Sequence, residues 1–356
     1  MKLAYFSGST LPSRQANSVH VMKMCRSFAS LDHEVTLYAT GETDVFDYYG
    51  VEKNFNICTV KRPNIRGLIG ILFAYRIVRA AKKESFDTIY SRNLYASFFS
   101  RKLNIPFIFE VHGMPNNALQ LIAFKKIIKS KNLIKLVVIS TALKKIILEN
   151  IPEAQTVQIQ VAHDAADLKP LPPSNSKRLT LAYVGSLYQG RGIDLILTIA
   201  AKLPQYDFHI IGGSDQEVSF WQKQKTSNIV FHGFIPHSQL DQLTAKSDIL
   251  LAPYQEGTKT IGGIDSTQWM SPLKIFESMA SGKALISSNL PVLKEVLEHN
   301  YNSILIPPND TEAWVEAITQ LEDENVRQRL ADNALDDIKT KYTWFERAKL
   351  VLDNES

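Results

Sequence analysis

The chain has 356 residues, with 40 Lys and Arg against 36 Asp and Glu for a formal net charge of +4, and 45% hydrophobic against 21% charged side chains. This length exceeds what one hydrophobic core usually organises and points to two domains, while the composition excludes disordered, fibrous and disulfide-scaffold classes. The small net charge conceals an asymmetry: residues 1–170 carry 23 basic and 13 acidic side chains, a net of +10, and the remainder 17 and 23, a net of −6.

The opening MKLAYFSGS alternates as a first strand rather than as a secretion leader, so a cytoplasmic placement is expected. A helix over 16–31, a strand HEVTLYA and a candidate strand FNICTV follow. Cys25 and Cys58 stand in no metal or redox spacing, as expected of buried thiols in a reducing compartment. Next come a helix over 67–84, strand TIYS, a helix over 94–103, strand PFIFEVHG, a helix over 118–131, strand KLVVIS and a helix capped by Thr141. The longest apolar run, 68–75, stops at Arg76, well short of a membrane span. In 65–83 and 123–148 lysines and arginines alternate with large aliphatic residues. Two readings fit these runs: basic amphipathic helices lying on an anionic membrane, or helices packed on a sheet with solvated lysines outside. No aromatic stacking platform or nucleic-acid motif accompanies the charge, so nucleic acid is not an expected partner.

Strand VQIQVAH closes the first half, and ADLKPLPPSNSK, with three prolines and little to bury, reads as the linker. The alternation then restarts: strand RLTLAYVG, a helix over 193–203, strand DFHIIGG, a helix, strand IVFHGF, a helix, strand DILLAPY, a helix at SPLKIFE, strand ALISS, a helix and strand SILIPP, with a helical tail from Thr311. Two parallel, doubly wound sheets predict ligands at the carboxyl ends of the strands, in a cleft between the domains.

Three segments carry chemistry. In DSTQWMSPLKIFESMASGKALISS (265–288) a polar loop meets Ser271 and Pro272, an apolar helical face follows at Leu273, Phe276 and Met279, and Gly282 closes the helix. The unpaired amides and positive dipole of that first turn form an anion site, Lys274 adds a charge, and Glu277, one turn on, suits the vicinal hydroxyls of a ribose. The same residues also fit an ordinary loop, helix and strand with Lys274 and Glu277 on a solvated face. In VGSLYQGRG, Gly185 and Ser186 let the backbone approach a ligand, and Arg191 offers a forked cation for phosphate. In EVHG, His112 ends a strand, where a histidine is either structural or a cleft residue. Neither GSTLPS nor GSLYQG has the three-glycine spacing of a dinucleotide fold, which disfavours a dehydrogenase.

The 265–288 segment resembles the signature of family four retaining glycosyltransferases of the GT-B fold, in which two glutamates eight positions apart flank a phosphate-binding turn and the second holds the ribose. Glu277 falls on the second glutamate; Trp269 occupies the place of the first, for which Asp265 is the nearest substitute. Ser271, Pro272 and Leu273 stand where the family commonly shows an aromatic residue, a glycine and an apolar residue, and SPLKIFE is similar to a variant found in bacterial members that build surface polysaccharides. By the same resemblance Arg191 matches a diphosphate lysine, Ser186 replaces an arginine, Gly233 and Phe234 lie in the base-binding region, and His112 matches a histidine that contacts the donor sugar. The loop SGSTLPSRQANSVHVMKM lacks the family's glycine pair and offers Asn17 and His20 on the acceptor side. TWFERAKLVLDNE is similar to the last helix of GT-B enzymes, which crosses back to the first domain.

The resemblance thus implies an α/β chain of two Rossmann-like domains, 1–168 on the acceptor side and 169–340 on the nucleotide-sugar side, with 341–356 returning to the first. It implies retaining, metal-independent transfer of a hexose from a nucleotide-diphosphate sugar, expected to be a UDP- or GDP-sugar, to a glycan or lipid-linked acceptor in cell-surface polysaccharide synthesis at the inner face of the membrane. His112, Arg191, Lys274 and Glu277 would be the catalytic set, without a cofactor. Donor binding would fall to Gly185, Ser186, Arg191, Gly233, Phe234, Ser271, Leu273, Lys274 and Glu277. Competing expectations are a sugar-nucleotide epimerase or hydrolase of the same architecture and a non-enzymatic two-lobed sugar-binding protein.

Overall fold

A computed structural model describes residues 1–257 and 265–353, so the last three residues of the expected C-terminal segment lie outside it. The chain divides into two compact units, Met1–Asp164 with Trp344–Ser356, and Ala165–Thr343.

The first unit runs β1 (Lys2–Leu11), α1 (Ala16–Ala29), β2 (Glu34–Gly41), α2 (Phe46–Tyr49), β3 (Asn56–Thr59), α3 (Ile69–Ala81), β4 (Thr88–Ser91), α4 (Leu94–Ser100), β5 (Phe107–Val111), α5 (Ala118–Ile128), β6 (Leu133–Val138), α6 (Thr141–Asn150) and β7 (Ile159–Val161). Its seven strands pair in parallel in the order β3-β2-β1-β4-β5-β6-β7. Every residue of β4 and β5 is buried, which explains their continuous apolar and aromatic character: helices cover both faces of a parallel sheet. Tyr5, Phe28 and Tyr90 knit β1, α1 and β4 together, with ring centroids 5.1 to 6.3 Å apart.

Caps set the helix starts. Asn93 and Asn117 accept the amides of Ala96 and Gln120 at the heads of α4 and α5. The cap of α6 is Ser140 rather than Thr141: Ser140 is extended (φ −158°, ψ 157°), and its hydroxyl accepts the Leu143 amide at 3.0 Å. Thr141 is already inside the helix, so its side chain cannot serve its own first turn. The four-residue α2, ended by Gly50 in the left-handed region, is too short to show a helical period and was not expected.

The second unit runs β8 (Thr180–Val184), α7 (Ile193–Lys202), β9 (Asp207–Ile211), α8 (Asp215–Gln222), β10 (Ile229–Gly233), α9 (His237–Thr244), β11 (Ile249–Ala252), α10 (Leu273–Ala280), β12 (Ala284–Ser288), β13 (Ile304–Ile306), α11 (Thr311–Gln320) and α12 (Glu324–Lys341). Six parallel strands take the order β10-β9-β8-β11-β12-β13. Sequence neighbours therefore part company between β8 and β11, the switch point at which open α/β sheets leave room for a ligand. Leu181, Tyr183, Ile196, Phe208, Ile286 and Trp314 form its core. The doubly wound alternation read from the sequence is the fold of each unit, except that the helix expected between β12 and β13 is a single 3-10 turn, Leu293–Glu295.

The last helix, α13 (Trp344–Leu352), belongs to the first unit. Trp344 stands edge-on to His20 of α1 at 5.1 Å, and Arg347 reaches Met24 Sδ at 3.3 Å.

Candidate active site

The switch point of the second unit gathers two cations. Gly185 follows β8 with φ +151°, where a Cβ would collide with Lys274 Nζ, and Gly212 follows β9 with φ +117°, where a Cβ would strike the Gly185 carbonyl. Bare backbone at Gly185 makes room for the Lys274 side chain, and at Gly212 it lets the Gly185 backbone come close. Its Nζ donates to Tyr183 Oη at 3.1 Å and sits 4.2 Å from the Tyr183 ring centroid and 5.6 Å from that of Tyr254. Tyr183 Oη in turn donates to the Ser186 carbonyl at 2.7 Å. Arg191 Cζ lies 4.5 Å from the Tyr188 ring and 5.7 Å from the same Tyr254 ring, and Nη2 bonds Tyr188 Oη. Aromatic faces thus hold two like charges near each other, partly offsetting their repulsion.

The arrangement is electrostatically incomplete. Burial, reinforced by Arg191 and opposed by Glu277, brings the Lys274 ammonium down to about 7. Among the described residues, Arg191 Nε and Tyr254 Oη are buried without a hydrogen-bond partner, a state that buried polar groups seldom keep unless a ligand completes them. Helix α10 adds its amino end: Pro272 is the N-cap, no side chain among the described residues caps the helix, and the Ile275 amide bonds the Pro272 carbonyl at 2.9 Å. The amides heading that helix are suited to an anion. Glu277 is exposed one turn beyond Lys274, within electrostatic reach of Lys274 and Tyr254.

Gly185, Ser186, Arg191, Ser271, Leu273, Lys274 and Glu277 therefore belong to the β8 loop or the start of α10. Gly233 and Phe234 stand at the end of β10, with β9 between that strand and β8; Gly233 has φ +66° with open space where a Cβ would be, and Phe234 is exposed. Asp265 accepts the amide of Thr267 at 2.9 Å and its hydroxyl, a local turn.

In the first unit His112 follows β5 and is partly exposed. Its Nε2 lies 2.7 Å from Glu110 Oε1 and its Nδ1 3.2 Å from Arg92 Nη2. Because guanidinium only donates and carboxylate only accepts, the ring carries its proton on Nε2 and accepts at Nδ1. Burial, and then Arg92, lower His112 to about 4, consistent with that neutral form. Glu110, 1% exposed, also accepts from Tyr90 Oη at 2.5 Å and Arg347 Nη2 at 2.9 Å. Burial would raise its carboxyl, but Arg347, His20 and His112 hold it well below the usual range. A cavity of about 140 Å³, bordered by Arg92, Glu110, His112, Gly113, Met114 and Gln120, opens beside the imidazole; it has room for about five waters.

His20, expected on the acceptor side, is buried instead: Nδ1 is 2.7 Å from Asp164 Oδ1 and Nε2 is 3.1 Å from Glu110 Oε1, the latter without hydrogen-bond alignment. Asn17 is exposed, and its carbonyl accepts from Arg92 at 3.4 Å. His20, Glu110 and His112 also bring metal-capable atoms within 4.8 Å of one another. They fit a cation poorly, since the Arg347 guanidinium already occupies the shared oxygen.

Sequence reasoning missed Tyr183 and Tyr254, which read as strand residues, Tyr188 in the loop after β8, and Arg92, Asp164 and Arg347, whose partners are distant in the chain. For Arg347 the one available sign was an arginine on the apolar face of TWFERAKLVL.

Two family descriptions match this chain: Glycosyltransferase Family 4 over residues 18–167 and Glycosyl transferases group 1 over residues 178–324. An uncharacterized glycosyltransferase of Methanocaldococcus jannaschii is 25% identical over 229 residues, 60% of this chain and 56% of that protein. The chain spans about half the length of the curated relatives it matches first, 56% and 42%. Among solved structures, sucrose-phosphate synthase from Thermosynechococcus elongatus superposes with a TM-score of 0.74 at 16% identity, covering 98% of this chain and 96% of that one. HepE of Anabaena, solved in complex with UDP-glucose, gives 0.73 at 14%, covering 99% and 98%. With both halves matched by family descriptions and both sheets built alike, the chain belongs to the family 4 glycosyltransferases of the GT-B fold.

Proposed function

We propose that this chain transfers a hexose, with retention and without a metal ion, from a nucleotide-diphosphate sugar to a glycan or lipid-linked acceptor in cell-surface polysaccharide synthesis. The observation that carries this reading is the convergence of Arg191 and Lys274 on the Tyr254 ring beside the start of α10, with Arg191 Nε unpartnered among the described residues. Such a cluster suits an anion of two or more charges. As the bond from sugar to phosphate breaks, negative charge builds on the departing diphosphate, and fixed cations and amides stabilise it without reorganising. Glu277 is the acceptor for ribose hydroxyls, and His112, neutral and held from both sides, is the group assigned to the sugar. A UDP-sugar donor is supported by the HepE complex with UDP-glucose.

A lipid-linked acceptor and contact with an anionic membrane fit the first unit. Ile65, Leu68, Leu119 and Ile122 are exposed, and residues 53–83 and 111–148 contain no Asp or Glu. Basic, apolar helix starts of this kind suit an anionic interface.

Calorimetric titration with UDP, GDP and ADP tests the donor site, and failure of all three to bind overturns the reading. Incubation with the matching sugar nucleotide alone separates transfer from epimerisation or hydrolysis, which need no acceptor. An NMR assignment of the anomeric configuration in the product decides retention.

A further inference from the structure

Between the last helix and His112 runs an unbroken chain of buried charge. Arg347 is 2% exposed, and its guanidinium is fixed on all sides. Nε donates to the His163 carbonyl at 2.7 Å, Nη2 to the Ala162 carbonyl at 3.2 Å and to Glu110 Oε1 at 2.9 Å, and Nη1 to Met24 Sδ at 3.3 Å. That same oxygen of Glu110 accepts the hydrogen bond from His112 Nε2–H, while its other oxygen accepts from Tyr90. A carboxylate this deep needs a partner cation to stay ionised. His20 lies 3.1 Å away but is itself tied to Asp164, and Arg92 meets the far side of the imidazole. Arg347 is thus the permanently charged group in direct contact with Glu110.

We propose that Arg347, carried by the C-terminal helix, is a positioning residue for His112: by clamping Glu110 it fixes the orientation and tautomer of the imidazole. This rests on the transferase reading for its catalytic consequence, though not for its geometry. With Nε2–H held by Glu110, Nδ1 is directed to Arg92, and the ring edge beside the cavity is the same in every molecule. Without the clamp the carboxyl can take up a proton or rotate, and the ring is free to flip or to shift its proton to Nδ1.

The test uses the full chain. Imidazole 15N NMR of the wild type reports the tautomer, and the same spectra with donor kinetics are recorded for Arg347→Lys, which keeps the charge but cannot hold two carbonyls and Glu110 together. The expected result is a single Nε2–H form of His112 in the wild type, and mixed tautomers in a folded Arg347→Lys. In that variant kcat should fall by roughly 10- to 100-fold, as for other residues that orient a functional side chain, at unchanged KM for the donor. A merely structural role would alter melting and leave the tautomer untouched. If the lysine variant does not fold, Glu110→Gln, which keeps the shape and removes the clamped charge, is read the same way. An Nδ1–H wild-type ring, or a variant with unchanged tautomer and kcat, overturns the proposal. Calorimetry of UDP and GDP on the wild type is independent of both: absent nucleotide binding with an Arg347-dependent tautomer would sink the transferase reading and leave the positioning intact.

Discussion

Lys274 lies against the Tyr183 ring with Arg191 nearby, and burial first, then that neighbour, bring it to about 7. On the proposed donor site, a bound diphosphate would supply an opposite charge and lift the ammonium back toward its ordinary value, so at pH 8 binding should take up about one proton. Nucleotide titrations in buffers of different ionisation heat measure that uptake. The Lys274→Arg variant should abolish it, and no uptake in the wild type would refute the assignment. The sign for stability follows from the same shift: the unfolded chain holds more protons from about pH 7 up to the ordinary lysine range, so the folding penalty of Lys274 shrinks as pH rises through that window. On the proposed donor site, Arg191→Ala and Glu277→Ala would each remove charged hydrogen bonds to the nucleotide and should cost about 1.5–3 kcal/mol of its affinity. Calorimetry would read this as a Kd increase of roughly 10- to 150-fold; unchanged affinity in both would remove the donor site from the β8 loop and α10. The placement of Arg191, Lys274 and Glu277 on the β8 loop and the start of α10 was legible because a glycine turn or a proline-started helix announces each one locally. Tyr254 was not, because it becomes a shared wall only once β11 pairs with β8.

Helices and strands were legible from their periods, but what fastens them was less so. Asn228 shows the difference. It reads as a loop residue before β10, yet its buried side-chain nitrogen lies within 3.1 Å of the carbonyls of Ala200, Leu203 and Tyr206, closing the end of α7 and the turn after it. Asn228→Ala would take the side-chain amide from all three carbonyls, of which those of Ala200 and Leu203 keep the backbone amides of Leu203 and Tyr206, and should destabilise the second unit by about 1–3 kcal/mol. Denaturant titration should show the loss while spectra of the first unit stay unchanged; an unaltered midpoint would mean that water replaces the amide. Helices α3 and α5 illustrate a different limit, since both readings of their basic, apolar runs survive partial burial: Phe73, Ile77, Phe124 and Ile127 pack inward while Leu68, Leu119 and Ile122 face out. Co-sedimentation with vesicles decides between them. Leu119→Asp with Ile122→Asp should abolish binding to phosphatidylglycerol-containing vesicles, and added salt should weaken it in the wild type. Absence of wild-type binding would leave those helices as ordinary sheet cover.

At the scale of the whole molecule, the doubling of the α/β pattern was legible, whereas the return of the last helix followed only from the family resemblance. No local property of WFERAKLVL says which sheet it will meet; its membership of the first unit is decided by Glu110, His163 and Met24, each more than 180 positions earlier. That membership has a measurable consequence. A chain ending at Thr343 would lose Trp344 and Arg347, uncover His20 and leave Glu110 a buried carboxylate without its guanidinium. Removing one partner of a buried ion pair costs about 3–5 kcal/mol, and the lost packing on α1 adds to it. The second unit loses none of its own strands or helices, and its core of Leu181, Phe208, Ile286 and Trp314 is complete without α13. Hydrogen exchange should therefore show faster exchange in α1, β1 and β5 of the truncated chain, with protection in β8, β9, β11 and β12 unchanged. Protection lost equally across both sheets would show that the two units do not fold as separate bodies. Protection retained in β5 would show that Glu110 is held by its other partners and that α13 contributes no more than cover.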